Sequence, residues 1–250
     1  MNTTSNKKLE DVKKLIENGS DLNAKDKQGR TIIYHCLYEE DHQDILKSLI
    51  KNGVDVNHKD INNFTPLNLA ICMGLKESVF ILIKNGADIN SVDFDGITPL
   101  YRALRLKEYE IAKILLGHGA YIDYNHLKIK EINEHILESI LHYESCEYEY
   151  SLIEELFKKS ADINKADENL WTLLHLAVNK NYIDIVKVLI KYGANINTQT
   201  IHGWTPLYLA TQKGYRDIAK LLLDSGADKS IKTIMGDTID DIVVNSIKND

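Results

Sequence analysis

The stretch Gly86-Ala87-Asp88-Ile89-Asn90 decides how this chain is read, because it returns. It stands also as Gly53-Val54-Asp55-Val56-Asn57, Gly119-Ala120-Tyr121-Ile122-Asp123, Ser160-Ala161-Asp162-Ile163-Asn164 and Gly193-Ala194-Asn195-Ile196-Asn197, with weaker copies at Gly19 and Gly226. Successive copies lie 34, 33, 33, 41, 33 and 33 residues apart. A second marker keeps step 12 residues further on: Thr31, Thr65, Thr98, Thr172, Thr205 and Thr238, opening Thr-Pro-Leu at 65, 98 and 205 and Thr-Leu-Leu-His at 172. Two markers in fixed phase define an internal repeat of the length that builds stacked arrays.

The residues 7, 4 and 3 before each copy are all apolar: Val12/Leu15/Ile16, Leu46/Leu49/Ile50, Val79/Leu82/Ile83, Ala112/Leu115/Leu116, Ile153/Leu156/Phe157, Val186/Leu189/Ile190 and Ala219/Leu222/Leu223. That spacing is one face of an α-helix. A glycine directly after it closes the helix in the left-handed conformation. Proline after the threonine suits the first turn of the next helix, where its missing N–H would have no partner anyway. Each unit therefore reads as a helix, a tight turn, a second helix and an extended loop turning near Asp-x-x-Gly. One unit cannot bury its apolar face, and stacking several does so.

This pattern resembles the ankyrin-repeat family over about residues 7 to 245. The resemblance implies an all-α solenoid of stacked helix-turn-helix units joined by hairpin-like loops. It divides the chain into a half-repeat cap (1–28), three repeats (29–123), a degenerate fourth with an insertion (124–164), two further repeats (165–236) and a capping helix (237–250). Three departures stand out. The cap carries only a second helix, Lys8 to Asn18. The first full repeat reads as loose, with Thr31-Ile32-Ile33-Tyr34 in place of Thr-Pro-Leu and one extra residue before Gly53. The 41-residue interval adds eight residues between Tyr124 and Tyr150, and Ser160 replaces the closing glycine. That replacement costs about 1 kcal/mol if the left-handed conformation is kept.

Composition narrows the function. There are 30 Lys plus Arg against 37 Asp plus Glu, a net charge of -7 with no basic stripe, which argues against a nucleic-acid partner. Cys36, Cys72 and Cys146 are odd in number and have no paired spacing, so a reducing compartment and neither disulfides nor zinc are expected. Met1 to Lys14 has no apolar signal core and no run approaches a membrane span, so a soluble, cytoplasmic monomer with no membrane contact is expected.

Catalytic signals are sparse. His126, His135 and His142 lie in the irregular segment, but no cysteine or carboxylate completes a metal set at a recognised spacing. Adjacent helical residues point about 100° apart, so His35 and Cys36 make no base–nucleophile pair. No phosphate-binding, dinucleotide or nucleophile-elbow motif occurs. The expectation is a non-enzyme with no cofactor and no metal. The alternative is an enzyme or metal-binding protein with its site between Tyr124 and Tyr150. His175, in Thr-x-Leu-His, is implied by the resemblance to link adjacent loops.

Ankyrin relatives bind partners mostly on the concave surface of loop tips and first helices. Carried onto this chain, that surface gives Ile61, Phe64, Phe94, Ile97, Trp171, Ile201 and Trp204 near the tips, and Arg105, Lys180 and Lys213 at the helix ends. Phe64, Trp171 and Trp204 share one phase and divide evenly between partner contact and packing on the neighbouring loop. The acidic, aromatic insertion supplies a second set, Tyr143, Glu147 and Tyr148, suited to a basic partner. The Lys-, Asn- and Ile-rich composition looks like ankyrin proteins of intracellular bacteria and large DNA viruses, many of which engage host proteins. The overall expectation is a module that binds one cytosolic protein.

Overall fold

A computed structural model describes residues 3–38, 42–125, 128–144, 155–239 and 241. It divides into two units, Met1–His126 and Leu127–Asp250. The expected capping helix at 237–250 lies almost wholly outside the described residues. Among these residues there are helices, turns and loops and no strand.

In the first unit α1 (Thr3–Glu17) is followed by three helix pairs: α2 (Ile32–Leu37) with α3 (His42–Lys51), α4 (Pro66–Cys72) with α5 (Lys76–Lys84), and α6 (Pro99–Arg105) with α7 (Tyr109–Gly117). First helices pack on first helices, α2 on α4 on α6, and second on second, α1 on α3 on α5 on α7. The second unit opens with α8 (Ile129–Glu144) and a π-helical turn (Leu156–Ser160). Two pairs follow, α9 (Leu173–Asn179) with α10 (Ile183–Lys191), and α11 (Pro206–Gln212) with α12 (Arg216–Asp224). Here α8 packs on both α9 and α10, α9 on α11, and α10 on α12.

The helix starts follow from the threonines. Thr65, Thr98 and Thr205 each accept the amide of the third residue on, at 3.2, 3.3 and 3.1 Å. Each such cap contributes about 1 kcal/mol. Thr31 makes no such bond and its hydroxyl is buried without a partner, and α2 still starts at the next residue but ends one residue earlier than α4 and α6. The ends follow from the glycines. At Gly86 (φ 86°) the chain turns left-handed, and the amides of Gly86 and Ala87 satisfy the carbonyls of Ile83 and Leu82 at 3.1 and 3.0 Å. Where Ser160 stands instead, the second of these bonds is kept, Ala161 amide to Leu156 carbonyl at 2.6 Å, at the end of a π-helical turn.

The apolar stripe becomes the core. Leu46, Leu49, Val79, Leu82, Ala112, Leu115, Leu156, Val186, Leu189 and Leu222 are sealed from solvent. The last stripe position is its margin in most units, with Ile50, Ile83 and Ile190 half-buried and Leu223 exposed, whereas Leu116 is fully buried. Leu15 is exposed as well, because α1 has no first helix of its own to pack on and rests on α3. Ile153 lies outside the described residues.

The final Asn of the repeated pentapeptide has a physical task. The Asn57 side chain accepts the amide of Asp88 at 2.7 Å and donates to the Gly86 carbonyl at 2.8 Å, in the next repeat. Asn23 to Asp55, Asn90 to Tyr121, Asn164 to Asn195 and Asn197 to Asp228 repeat the bond at 2.7–3.1 Å. An ionised Asp cannot donate, and Asp123 uses its carboxylate locally, on the amide of Asn125.

Candidate recognition surface

Each loop tip is built around one acceptor side chain. Asp60 Oδ1 takes the amides of Asn62 and Phe64 at 2.8 and 3.0 Å. Asp93 does the same for Asp95 and Ile97, and Asp167 for Asn169 and Trp171, at 2.8–3.0 Å. Thr200 and Thr233 replace the aspartate with longer bonds of 3.2–3.3 Å. Neighbouring tips are joined by one backbone bond each: Ile61 to Gln28, Phe94 to Asn62, Ile201 to Asn169 and Ile234 to His202, at 3.0–3.2 Å. The tips are therefore set before any partner arrives.

A second anchor reaches across from the first helices. His175 is fully buried, and its Nδ1 accepts from the Thr172 amide at 3.3 Å. That leaves Nε2–H to donate to the Trp204 carbonyl at 3.1 Å, in the next loop. Burial pushes its pKa down to about 4, so the ring is neutral at pH 7. This is the loop link that the Thr-x-Leu-His element implied. Tyr34 holds the same phase and its hydroxyl reaches the Phe64 carbonyl at 2.5 Å. Asn68 holds it too, but is too short: the side chain is fully buried and neither end of its amide has a partner. An unpaired buried polar group costs about 1–3 kcal/mol. Asn68→His, with a ring long enough for the Ile97 carbonyl, is expected to stabilise the first unit by about 1 kcal/mol. Calorimetry checks it, and an unchanged or lower Tm refutes the link.

On this frame the candidate side chains separate. Ile61 (67% exposed), Phe94 (79%) and Ile201 (44%) stand out from the tips. Arg105, Lys180 and Lys213 are exposed at the helix ends. Phe64, Trp171 and Trp204 are half-buried. The Arg102 guanidinium covers Phe64, 4.7 Å from the ring centre, and is itself fixed by an ion pair with Asp93. Trp171 leans on His175, and Trp204 lies nearly parallel to Tyr208. Ile97 corrects the sequence reading: it is buried at 4% exposure and has no surface to offer. The rings at the same phase extend far enough to stay half-exposed, whereas a branched aliphatic group is short enough to be engulfed.

Four exposed or half-exposed side chains escaped the sequence reading. Ile234 (68%) and Met235 (83%) form the next tip, and Ile234 follows Ile201 at the repeat interval of 33. Leu170 (φ 60°) takes the left-handed position filled by Gly203 one repeat on, and projects a half-exposed side chain beside Trp171. Glu134, on α8, faces the same place, for which the sequence carried no signal.

In the irregular segment, His135 lies 3.8 Å from Glu138, while His126, Glu147 and Tyr148 are outside the described residues and nothing is described of the Tyr143 and His142 side chains. His35 turns to Asp26 at 3.1 Å while Cys36 is buried, as neighbours on a helix must. Among the described residues no three His, Cys, Asp or Glu gather as a metal site, and no helix is long and apolar enough to cross a membrane.

Paired helices stacked first on first and second on second, with neighbouring loop tips bonded to each other, define a solenoid built of repeats. The chain belongs to the ankyrin-repeat family: the family described as "Ankyrin repeats (3 copies)" matches residues 1–93 and 141–233, and that described as "Ankyrin repeat" matches 95–126. The crystal structure of the human ASB11 ankyrin repeat domain is similar, with 26% identity, a TM-score of 0.60, and coverage of 85% of this chain and 91% of that one. No curated protein matches. Ankyrin repeats are generally protein–protein interaction modules and typically non-enzymatic.

Proposed function

We propose that the chain is a non-enzymatic adaptor that binds a cytosolic protein through the tips and first helices of its units, with a host-cell protein as the partner its composition favours. The observation that carries this reading is the placement of Ile61, Phe94 and Ile201 on rigid tips. Large apolar groups at solvent are common singly, but Ile61 and Phe94 stand on adjacent bonded tips in the first unit, and Ile201 and Ile234 do so in the second, which is what a binding surface on either unit requires. Because the tips are already ordered, a partner meets little loop-ordering cost.

The test is capture from cytosol by the immobilised chain. Phe94→Ser combined with Ile201→Ser is expected to reduce capture of the specific partner at least tenfold, about 1.4 kcal/mol. Phe80→Ser removes an apolar group exposed about as much as Ile201 from the second-helix layer and is expected to leave capture unchanged. Equal loss from both variants, or turnover of a small molecule by the purified chain, overturns the proposal.

A further inference from the structure

Arg102 is a charged side chain that the stacking of helices does not require. It lies on α6 four residues after Thr98, and the same position holds Leu69, Leu176 and Leu209 in other repeats, all buried, and exposed His35 in the first. Leucine therefore satisfies the packing there. Arg102 is only 9% exposed, and its Nε is buried without a partner. Burying an ion pair and orphaning a donor both work against stability, so the guanidinium is explained by what it holds in place.

It holds three groups at once. Nη2 pairs with Asp93 Oδ2, the oxygen left over once Oδ1 has taken the Asp95 and Ile97 amides at the tip that carries Phe94. Its Cζ lies over the ring of Phe64, which closes the preceding tip, the one that carries Ile61. Nη1 donates to Cys72 Sγ at 3.7 Å, at the end of α4. The rigid, planar fork of arginine suits such a three-way junction, which a lysine could not make. The backbone bond from Phe94 to Asn62 joins the two tips at one point and alone leaves them free to pivot. The guanidinium adds further points of attachment, and the pivot is lost. In the second unit the tips built on Asp167 and Thr200 have leucine at the corresponding position and no such brace.

We propose that Arg102 is a positioning residue for recognition, bracing the Ile61 and Phe94 tips against each other so that a partner meets both at a fixed spacing. Buried as it is, it acts through those two side chains and not by touching the partner. Fixing the tips beforehand removes an ordering cost from binding. The inference rests on the recognition reading above and names the residue that makes the first unit's share of the surface rigid.

Two variants test it, and the chain already contains the precedent for each. Arg102→Leu recreates the Asp167/Leu176 combination, and Asp93→Asn/Arg102→Leu the neutral acceptor with leucine of Thr200/Leu209, so both are expected to keep the native Tm. The probes are peptides from a displayed random library, selected on the full-length chain and sorted into those weakened by Phe94→Ser and those weakened by Ile201→Ser. The first class is expected to lose about tenfold in affinity on either variant, while the second changes by less than about twofold. Phe94→Ser with Arg102→Leu is expected to be no weaker for the first class than Phe94→Ser alone, because both act on one contact. Full affinity of the first class on both variants overturns the brace and leaves the recognition reading standing. A lowered Tm with equal losses in both classes makes Arg102 part of the scaffold only and overturns it as well. If no isolate depends on Phe94 the inference fails, and if none depends on Ile201 either, the recognition reading fails with it.

Discussion

Acidification from pH 6.5 to 4 is expected to remove about 3 kcal/mol from the second unit, through His175 alone. Unfolded, the ring has an ordinary pKa of 6.5; folded, burial holds it near 4. The native state thus binds its proton later than the unfolded state does. The contribution is fully present above pH 6.5 and disappears as pH falls towards 4. Protonation also converts Nδ1 from acceptor to donor, against the Thr172 amide that points at it. Denaturant unfolding followed by tryptophan fluorescence reads this unit selectively, since Trp171 and Trp204 both lie in it. His175→Gln is expected to abolish the dependence between pH 6.5 and 4 while leaving the acid transition below it. The carboxylates of Asp26 and Asp228 are lowered by hydrogen bonds and so act under pH 3.8, outside the window. Parallel slopes for native chain and variant would rule His175 out as the sensor.

Gly203→Ala is the second large effect, expected to cost about 3 kcal/mol. A Cβ there would sit 2.7 Å from the Ile234 nitrogen and 2.8 Å from the Thr233 Cα, both backbone atoms that no rotamer change can move aside. The left-handed φ of 76° adds its own strain. Gly29 has nearly the same φ, 74°, but its nearest neighbours would be 3.4 Å away. Gly29→Ala is therefore expected to cost only about 1 kcal/mol, the strain alone. Hydrogen exchange gives the local signature, because relieving the clash breaks the bond from the Ile234 amide to His202. Equal costs for the two alanines, or an Ile234 amide still protected, would show that the tips are not packed as described.

The fold was legible because the repeat announces itself at two levels. Glycine, threonine and proline mark the helix ends by backbone chemistry, and the stripe of Leu82 and its equivalents marks the buried side by periodicity. What the sequence could not show was depth. Ile97 and Phe94 occupy one tip, and nothing in their types says that one sinks and the other stands free. The cleft lined by Lys130 and Trp171 was illegible for another reason: the two are 41 positions apart, on either side of an irregular segment that breaks the phase used everywhere else. Ile234 and Met235 were within reach of the pattern, since counting 33 from Ile201 finds them. The Asn68 defect hides in a position where Tyr and His also occur, and only side-chain length distinguishes a link from a gap.

The asparagine ladder carries one more implication. Asn57 and Asn90 grip the adjoining repeat in the same way, each binding the backbone two residues after the next copy's leading glycine. A 33-residue cassette excised between them would present matching halves at the splice, as it would between Asn164 and Asn197. At Asp123 the coupling chemistry changes, so a cut ending there would join unlike ends. Length in this chain is thus adjustable in whole modules within either unit, and lineages can lengthen or shorten it by recombination without redesigning a joint.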